Sequence, residues 1–283
     1  MDDTPQQPTP IPAPPGFIEP HEGLLTAPPE GQLLYKVMAM ENLLQSIAGS
    51  YLHFNRVDAY PDLDPNDGAV PPGDQAINAQ ATFEKAPDFS AADYYNRCRA
   101  RTYACCFSLE NTDYIWRTYG TGGTRGKICI VFDFAKLRAR LNHTLTQGHC
   151  VLEHNGIRLH QIFSINYSVV EYVPWDAHRA NTEYLQNPIK YTYLKSDKYR
   201  DDRELRIALS AIGIGHFVLN DGSRLDFPPS LQLGFDFKSA FADGTITRLL
   251  LAQDCDMDFL RTELDKLRIV PVEDGERSNH ADQ

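Results

Sequence analysis

The sequence predicts a single α+β domain with a mixed, largely antiparallel sheet flanked by helices. Three observations carry this. Strand-like runs outnumber helical ones and follow each other directly, so the two kinds segregate instead of alternating. "CVLEHNGIRLHQI" (150–162) reads as a hairpin, because Asn155-Gly156 is the dipeptide a type I′ turn prefers and its flanks alternate. The 283 residues are 42% hydrophobic and show no long linker or internal repeat, which suits one large domain.

The elements follow in order. Residues 1–30 hold nine of the 19 prolines and little periodic apolar character, so they predict a disordered or extended arm ahead of a globular domain over 31–272. "QLLYKVM" (32–38) is a strand. "AMENLLQSIAGS" (39–50) has helical spacing at Met40, Leu43, Leu44 and Ile47, with Gly49 as its stop. "YLHFNRV" (51–57) is a strand, and the Pro-, Asp- and Gly-rich stretch over 58–75 is a loop. "YYNRCRARTYACCFSLE" (94–110) begins as helix and ends as strand. "TDYIWRTYG" (112–120) is a short helix, followed by a Gly-rich turn, the strand "KICIVFDF" (127–134) and the amphipathic helix "FAKLRARLNHTL" (134–145). After the hairpin, "FSINYSVVEYV" (163–173) extends the sheet, and a helix is expected in "DAHRANTEYL" (176–185). A strand over 202–210, a loop and strand in "SRLDFPPSLQLGFDF" (223–237), the strand "ITRLLLA" (246–252) and the helix "MDFLRTELDKL" (257–267) close the domain. Residues 273–283 read as a solvated tail.

The net charge of −11 opposes nucleic acid and anionic membrane unless a local basic patch intervenes. No apolar run approaches the roughly 18 residues of a membrane span, and no basic-then-apolar leader opens the chain, so a cytoplasmic protein is expected. The six cysteines include no C-x-x-C pair, which argues against a zinc knuckle; Cys105, Cys106 and Cys129 lie in apolar runs as reduced, buried thiols.

Several motifs fail on inspection. "YGTGGTRGKI" (119–128) is no phosphate loop, because Thr121 stands where glycine is required and Ile128 follows Lys127. It retains a run of backbone N–H groups suited to an anion. His149, Glu153, His154 and His160 bring only two histidines to one face, and Asp62, Asp64 and Asp67 lack the glutamate that closes a calcium loop, so no metal is expected.

The stretch "DKYRDDRELRIAL" (197–209) carries the chemistry. Strand alternation puts Asp202, Glu204 and Arg206 on one face and Leu205, Ile207 and Leu209 on the other. The charged face is either a solvated surface with a diagonal ion pair or a cleft of carboxylates bracketed by Lys195 and Arg206. Tyr191, Tyr193 and Tyr199 crowd the approach.

Taken in order, these segments resemble a bacterial family known as domain of unknown function 2971. Its opening Leu-Tyr-Lys-Tyr strand is met by Leu34, Tyr35 and Lys36, with Val37 in the last position, and its Phe-Asn-Asp-Pro loop by Tyr60, Pro61, Asp62 and Leu63, where only the aromatic and the Asp survive. Its Phe-Ser strand end is met by Phe107 and Ser108, and its Trp-x-x-Tyr helix, Gly and Phe-Asp strand by Trp116, Tyr119, Gly126, Phe132 and Asp133. Its Lys, aromatic, Glu-x-Glu-x-Arg pattern is met by Lys195, Tyr199, Asp202, Glu204 and Arg206, with Asp202 replacing the first Glu; Thr124 stands in place of the family's usual His. The resemblance spans roughly 33–267.

More distantly, the plan is similar to that of ADP-ribosyltransferases, an analogy of fold. This implies an NAD-using transferase or NAD glycohydrolase, in bacterial defence or toxin biology, with NAD as substrate and no metal. Glu204 would be the catalytic carboxylate and Asp202 would orient an acceptor or a water. Tyr35, Lys36, Ser108, Trp116, Tyr119 and Arg206 would contact the nucleotide, with Lys36 and Arg206 on phosphates and Trp116 or Tyr119 stacked on a ring. The acceptor, protein or nucleic acid, stays open. The alternative is a non-enzymatic module that binds a nucleotide or a protein in the same cleft.

Overall fold

The computed structural model describes residues 24–60, 64–80, 88, 90–146, 152–159, 162–180, 187–211, 215–219 and 221–269. The tail over 273–283, Asp62, Cys150 and the candidate ligands His149 and His160 lie outside the described residues.

The fold is α+β. The strands are β1 (Leu33–Ala39), β2 (Tyr51–Arg56), β3 (Thr102–Ser108), β4 (Lys127–Asp133), β5 (Leu152–His154), β6 (Ile157–Leu159) and β7 (Ile162–Val169). Then come β8 (Glu171–Val173), β9 (Leu194–Ser196), β10 (Glu204–Ala211), β11 (His216–Val218), β12 (Arg224–Asp226), β13 (Ser230–Gly234) and β14 (Ile246–Leu251). The helices are α1 (Met40–Gly49), α2 (Pro72–Gln80), α3 (Ala91–Arg99), α4 (Asp113–Thr118), α5 (Phe134–Thr146), α6 (Phe237–Ala242) and α7 (Met257–Lys266). Among the described residues no helix is long and apolar enough to cross a membrane.

The main sheet forks. Its trunk is β7-β10-β3, antiparallel throughout. One edge of β3 serves two strands: β1 meets it only at Tyr35↔Ser108, and β2 only at Asn55↔Ala104 and Arg56↔Tyr103. From there β1 leads into the wing β1-β4-β14, and β2 into the wing β2-β13-β5-β6. The only parallel pair among the described residues is the small β8–β9 ribbon.

Leu205, Ile207 and Leu209 face the main core, as the alternation predicts, beside Tyr103, Cys105 and Phe107 of β3. Each fully buried aliphatic of this kind contributes roughly 1.5–3 kcal/mol. Phe107 packs edge-on against Phe132, and Phe132 against Phe235, with centroids 5.6 and 6.2 Å apart. Helix α1 buries Met40, Leu43 and Ile47 on this side, and Ser50, with φ 53°, ends it one residue beyond the expected glycine. The hairpin is as read: Asn155 and Gly156 have φ 48° and 78°, and Glu153 pairs with Arg158.

Three expectations change. Of the helix expected over 176–185, residues 181–185 lie outside the described residues, and 176–180 form turns and extended chain, since the nearby Pro174 and Asp74 set the path: Ala177 N–H bonds Pro174 O, and Ala180 N–H bonds the Asp74 carboxylate. The loop expected over 58–75 gives way to α2 at Pro72, where proline suits the first helical position. Residues 24–30 are not free of the domain: the Thr26 carbonyl accepts from Val169 N–H and from the Ser168 hydroxyl on β7, and Thr26 N–H donates to Ser168 Oγ.

Candidate functional site

The charged face of β10 is buried. Asp202, Glu204 and Arg206 are 4%, 5% and 1% exposed, which excludes the solvated-surface reading. Arg206 is the hub. Its Nε donates to Glu204 Oε1 at 2.7 Å and its Nη2 to Glu204 Oε2 at 3.2 Å. The remaining N–H groups reach Asp67 Oδ1, Asp67 Oδ2 at 3.1 Å and the Thr192 carbonyl at 2.9 Å. These are all five guanidinium donors. Lys195, on β9, bridges Asp202 Oδ2 at 2.7 Å and Glu204 Oε2 at 3.1 Å, and its ammonium lies over the Tyr199 ring at 4.9 Å.

Asp202 reaches this cluster by a different route from the one its spacing suggests. It closes a 3₁₀ turn over Asp197–Asp202, and Arg203 follows with φ 45°, so the strand begins only at Glu204. The corner is pinned on several sides. Ser108 Oγ donates to Asp202 O at 2.9 Å, Leu109 N–H to Arg203 O at 2.7 Å, and Glu204 N–H to the Tyr172 hydroxyl at 2.9 Å. Asp202 Oδ1 accepts from the Tyr119 hydroxyl at 2.6 Å.

Burial opposes ionisation of Glu204, but the Arg206 and Lys195 cations outweigh it and hold its carboxyl well below the usual range. Burial likewise opposes the charge on Lys195, and Glu204 foremost, with Asp202, raises its pKa regardless. Asp64, buried beside Asp67, is pushed up by burial and by that neighbouring charge. The Cys106 thiol is pushed well up by burial and by Glu204, so it is a poor nucleophile.

A cavity of about 590 Å³ opens over the fork. Tyr35, Lys36, Ser108, Tyr119, Asp202, Glu204 and Arg206 all line it, so seven of the eight expected site residues converge. Lys36 stands in the split between β1 and β3, donating to the Cys106 carbonyl at 2.9 Å over the Phe107 ring.

Trp116 is a correction. It is 5% exposed, packs with Ile115, Cys129, Val131 and Leu250, and spends its indole N–H on Asn111 Oδ1 at 2.7 Å, so no ring of a ligand can stack on it. Arg206 is a second correction: with every donor engaged inside the protein, it holds Glu204 in place and has none left for a phosphate. Two backbone N–H groups of the Gly-rich turn are also taken: Thr124 and Arg125 donate to Glu41 Oε1 at 2.7 and 3.1 Å.

The residue that sequence reasoning missed at the site is Asp67. It sits in a loop 139 positions from Arg206, and nothing in its own neighbourhood signals a buried partner. Among the described residues no group of three or more His, Cys, Asp or Glu side chains is placed to hold a metal ion. The four buried carboxylates of this cluster, Asp64, Asp67, Asp202 and Glu204, are served by Lys195, Arg206 and hydrogen bonds.

No family model, no curated protein and no solved structure matches this chain.

Proposed function

We propose that this protein cleaves the N-glycosidic bond of NAD, as a transferase or a glycohydrolase, with Glu204 as the anion facing the developing positive charge. The observation that carries this is a buried carboxylate, kept ionised by Arg206 and Lys195, in the wall of a cavity that also presents Tyr35, Tyr60, Tyr119 and Lys36. A fixed anion of this kind does not reorganise as an oxocarbenium-like transition state forms, which is where electrostatic catalysis gains most. Tyr119, at the cavity and 38% exposed, is the aromatic available to a ring. Lys36 is the cation available to a phosphate, since an ammonium has three donors and one is spent on Cys106. Asp202, gripped by Tyr119 and Lys195, would orient the acceptor.

One observation favours the second reading, a non-enzymatic nucleotide-binding module. Both oxygens of Glu204 and both of Asp202 already accept hydrogen bonds from protein donors. The two readings part on nicotinamide release, measured with and without cell lysate as a source of acceptor. Release that falls about a hundredfold or more in Glu204→Gln supports the enzyme. NAD binding with no release in either condition supports the module, and neither NAD binding by calorimetry nor release in either condition sinks the enzyme and leaves the binding module as the better reading.

A further inference from the structure

The cavity has two chemical characters. Its ionic side comes from β10 and the segments packed on it, namely Glu204, Arg206, Lys195 and Asp202. Its other side is amide-rich, with His53 as the titratable residue paired to Gln232. Asn42 and Gln45 lie three apart on α1, hence on one helical face, and line the cavity with Ser46 next to them; Gln232 lines it from β13. The separation follows from strand order. β10, β3, β2 and β13 are successive neighbours, so three spacings of about 4.8 Å, taken where β2 still pairs with β3, put the β13 strand of Gln232 on the order of 14 Å across the sheet from the β10 strand of Glu204.

None of the three amides is hydrogen-bonded to another described residue. Each offers two donors and an acceptor with no charge. That combination suits the edge of a heterocycle that itself alternates donors and acceptors; a phosphate, carboxylate or ammonium would find no counter-charge there. Asparagine and glutamine read purine edges in this way elsewhere.

We infer that Asn42, Gln45 and Gln232 form a second subsite of the cavity, which takes the hydrogen-bonding edge of a nucleobase about 14 Å across the sheet from the Glu204 end. In its NAD form the inference rests on the proposed function: the nicotinamide riboside end would lie at Glu204 and the adenine at the amides. The subsite itself requires only a base.

The test is calorimetry on the full chain with NAD, nicotinamide mononucleotide and adenosine as probes, comparing wild type with a Gln45→Leu/Gln232→Leu double variant. Circular dichroism melting serves as the fold control, and Gln45→Glu/Gln232→Glu, which keeps polarity, replaces the leucine pair if that one fails to fold. NAD should bind wild type more tightly than the mononucleotide, and the variant should lose about tenfold or more of NAD affinity while the mononucleotide is unaffected. If NAD and the mononucleotide both fail to bind but adenosine binds and is lost in the variant, the subsite stands and the NAD reading falls. Equal NAD affinity in wild type and variant overturns the subsite, as does wild type that binds none of the three probes.

Discussion

Replacing Arg206 with Met keeps an unbranched apolar stem but leaves Asp67 and Glu204 buried without their cation. The expected cost is about 3–5 kcal/mol, read as a lower urea midpoint. A loss under about 1 kcal/mol would mean that the charges are solvated in solution. The network also fixes a pH dependence. Glu204 has a folded pKa below its unfolded value, so its contribution is complete above about pH 4.3 and is lost as pH falls toward the lower folded value. Lys195 is raised, so its contribution is complete below about pH 10.4 and is lost only above that. Unfolding free energy should therefore be insensitive to this network between pH 6 and 9 and drop on acidification, with a shallower acid slope in Glu204→Gln. An equally steep slope in that variant would remove Glu204 as the source. At this scale the sequence was legible where a residue's own strand decides its fate. The alternation around Leu205 and Ile207 was enough to give Glu204 and Arg206 a common face. It was silent on Asp67, because a partner 139 positions away leaves no local pattern.

Helix α4 shows why spacing alone misplaced one aromatic. Trp116 and Tyr119 are three apart, but the helix ends at Thr118 and Tyr119 has φ −105° and ψ 166°. The same-face rule holds only while the helix continues. Trp116 therefore turns into the core and Tyr119 swings to the cavity. Tyr119→Phe removes the hydroxyl from Asp202 and should cost about 0.5–1.5 kcal/mol by thermal or urea unfolding, with the fluorescence of the two buried tryptophans, Trp116 and Trp175, unchanged. A shifted spectrum, absent in a Trp116→Phe background, would show that the loop, and not one hydrogen bond, had been disturbed. Turns offer a second comparison. A Cβ on Gly156 meets nothing within 4 Å, so Gly156→Ala carries only the left-handed backbone cost, about 1–2 kcal/mol. A Cβ on Gly126 falls 2.7 Å from Cys255 Cα, so Gly126→Ala adds a backbone clash to the same cost and should be the more destabilising of the two. The hairpin was legible because Asn-Gly admits few alternatives. The stretch over 176–180 was not, since a helical pattern there yields to capture of Ala180 by Asp74.

The α+β class and the antiparallel bias were legible because strand-like runs outnumber helical ones and stand next to each other along the chain, although of the sequence-adjacent strands only β2–β3, β5–β6, β8–β9 and β11–β12 pair among the described residues. The fork was not, since the sharing of one β3 edge by β1 and β2 depends on how two wings diverge in space. The boundary of the domain also shifts. A chain starting at Gly31 loses the Thr26 bonds to β7 and should melt several degrees below one starting at Leu24. Equal melting temperatures would show that these contacts contribute nothing. The Asp67–Arg206 pair has one more consequence, for the order of assembly. β10 can zip onto β3 through nearer contacts, but its guanidinium cannot be desolvated cheaply until the loop holding Asp67 closes across 139 positions. Closure over such a span comes late in folding. The chain would then build its scaffold first and its ionic cluster last, so a protein caught part-way through folding would be compact yet lack the assembled Asp67–Arg206–Glu204 network.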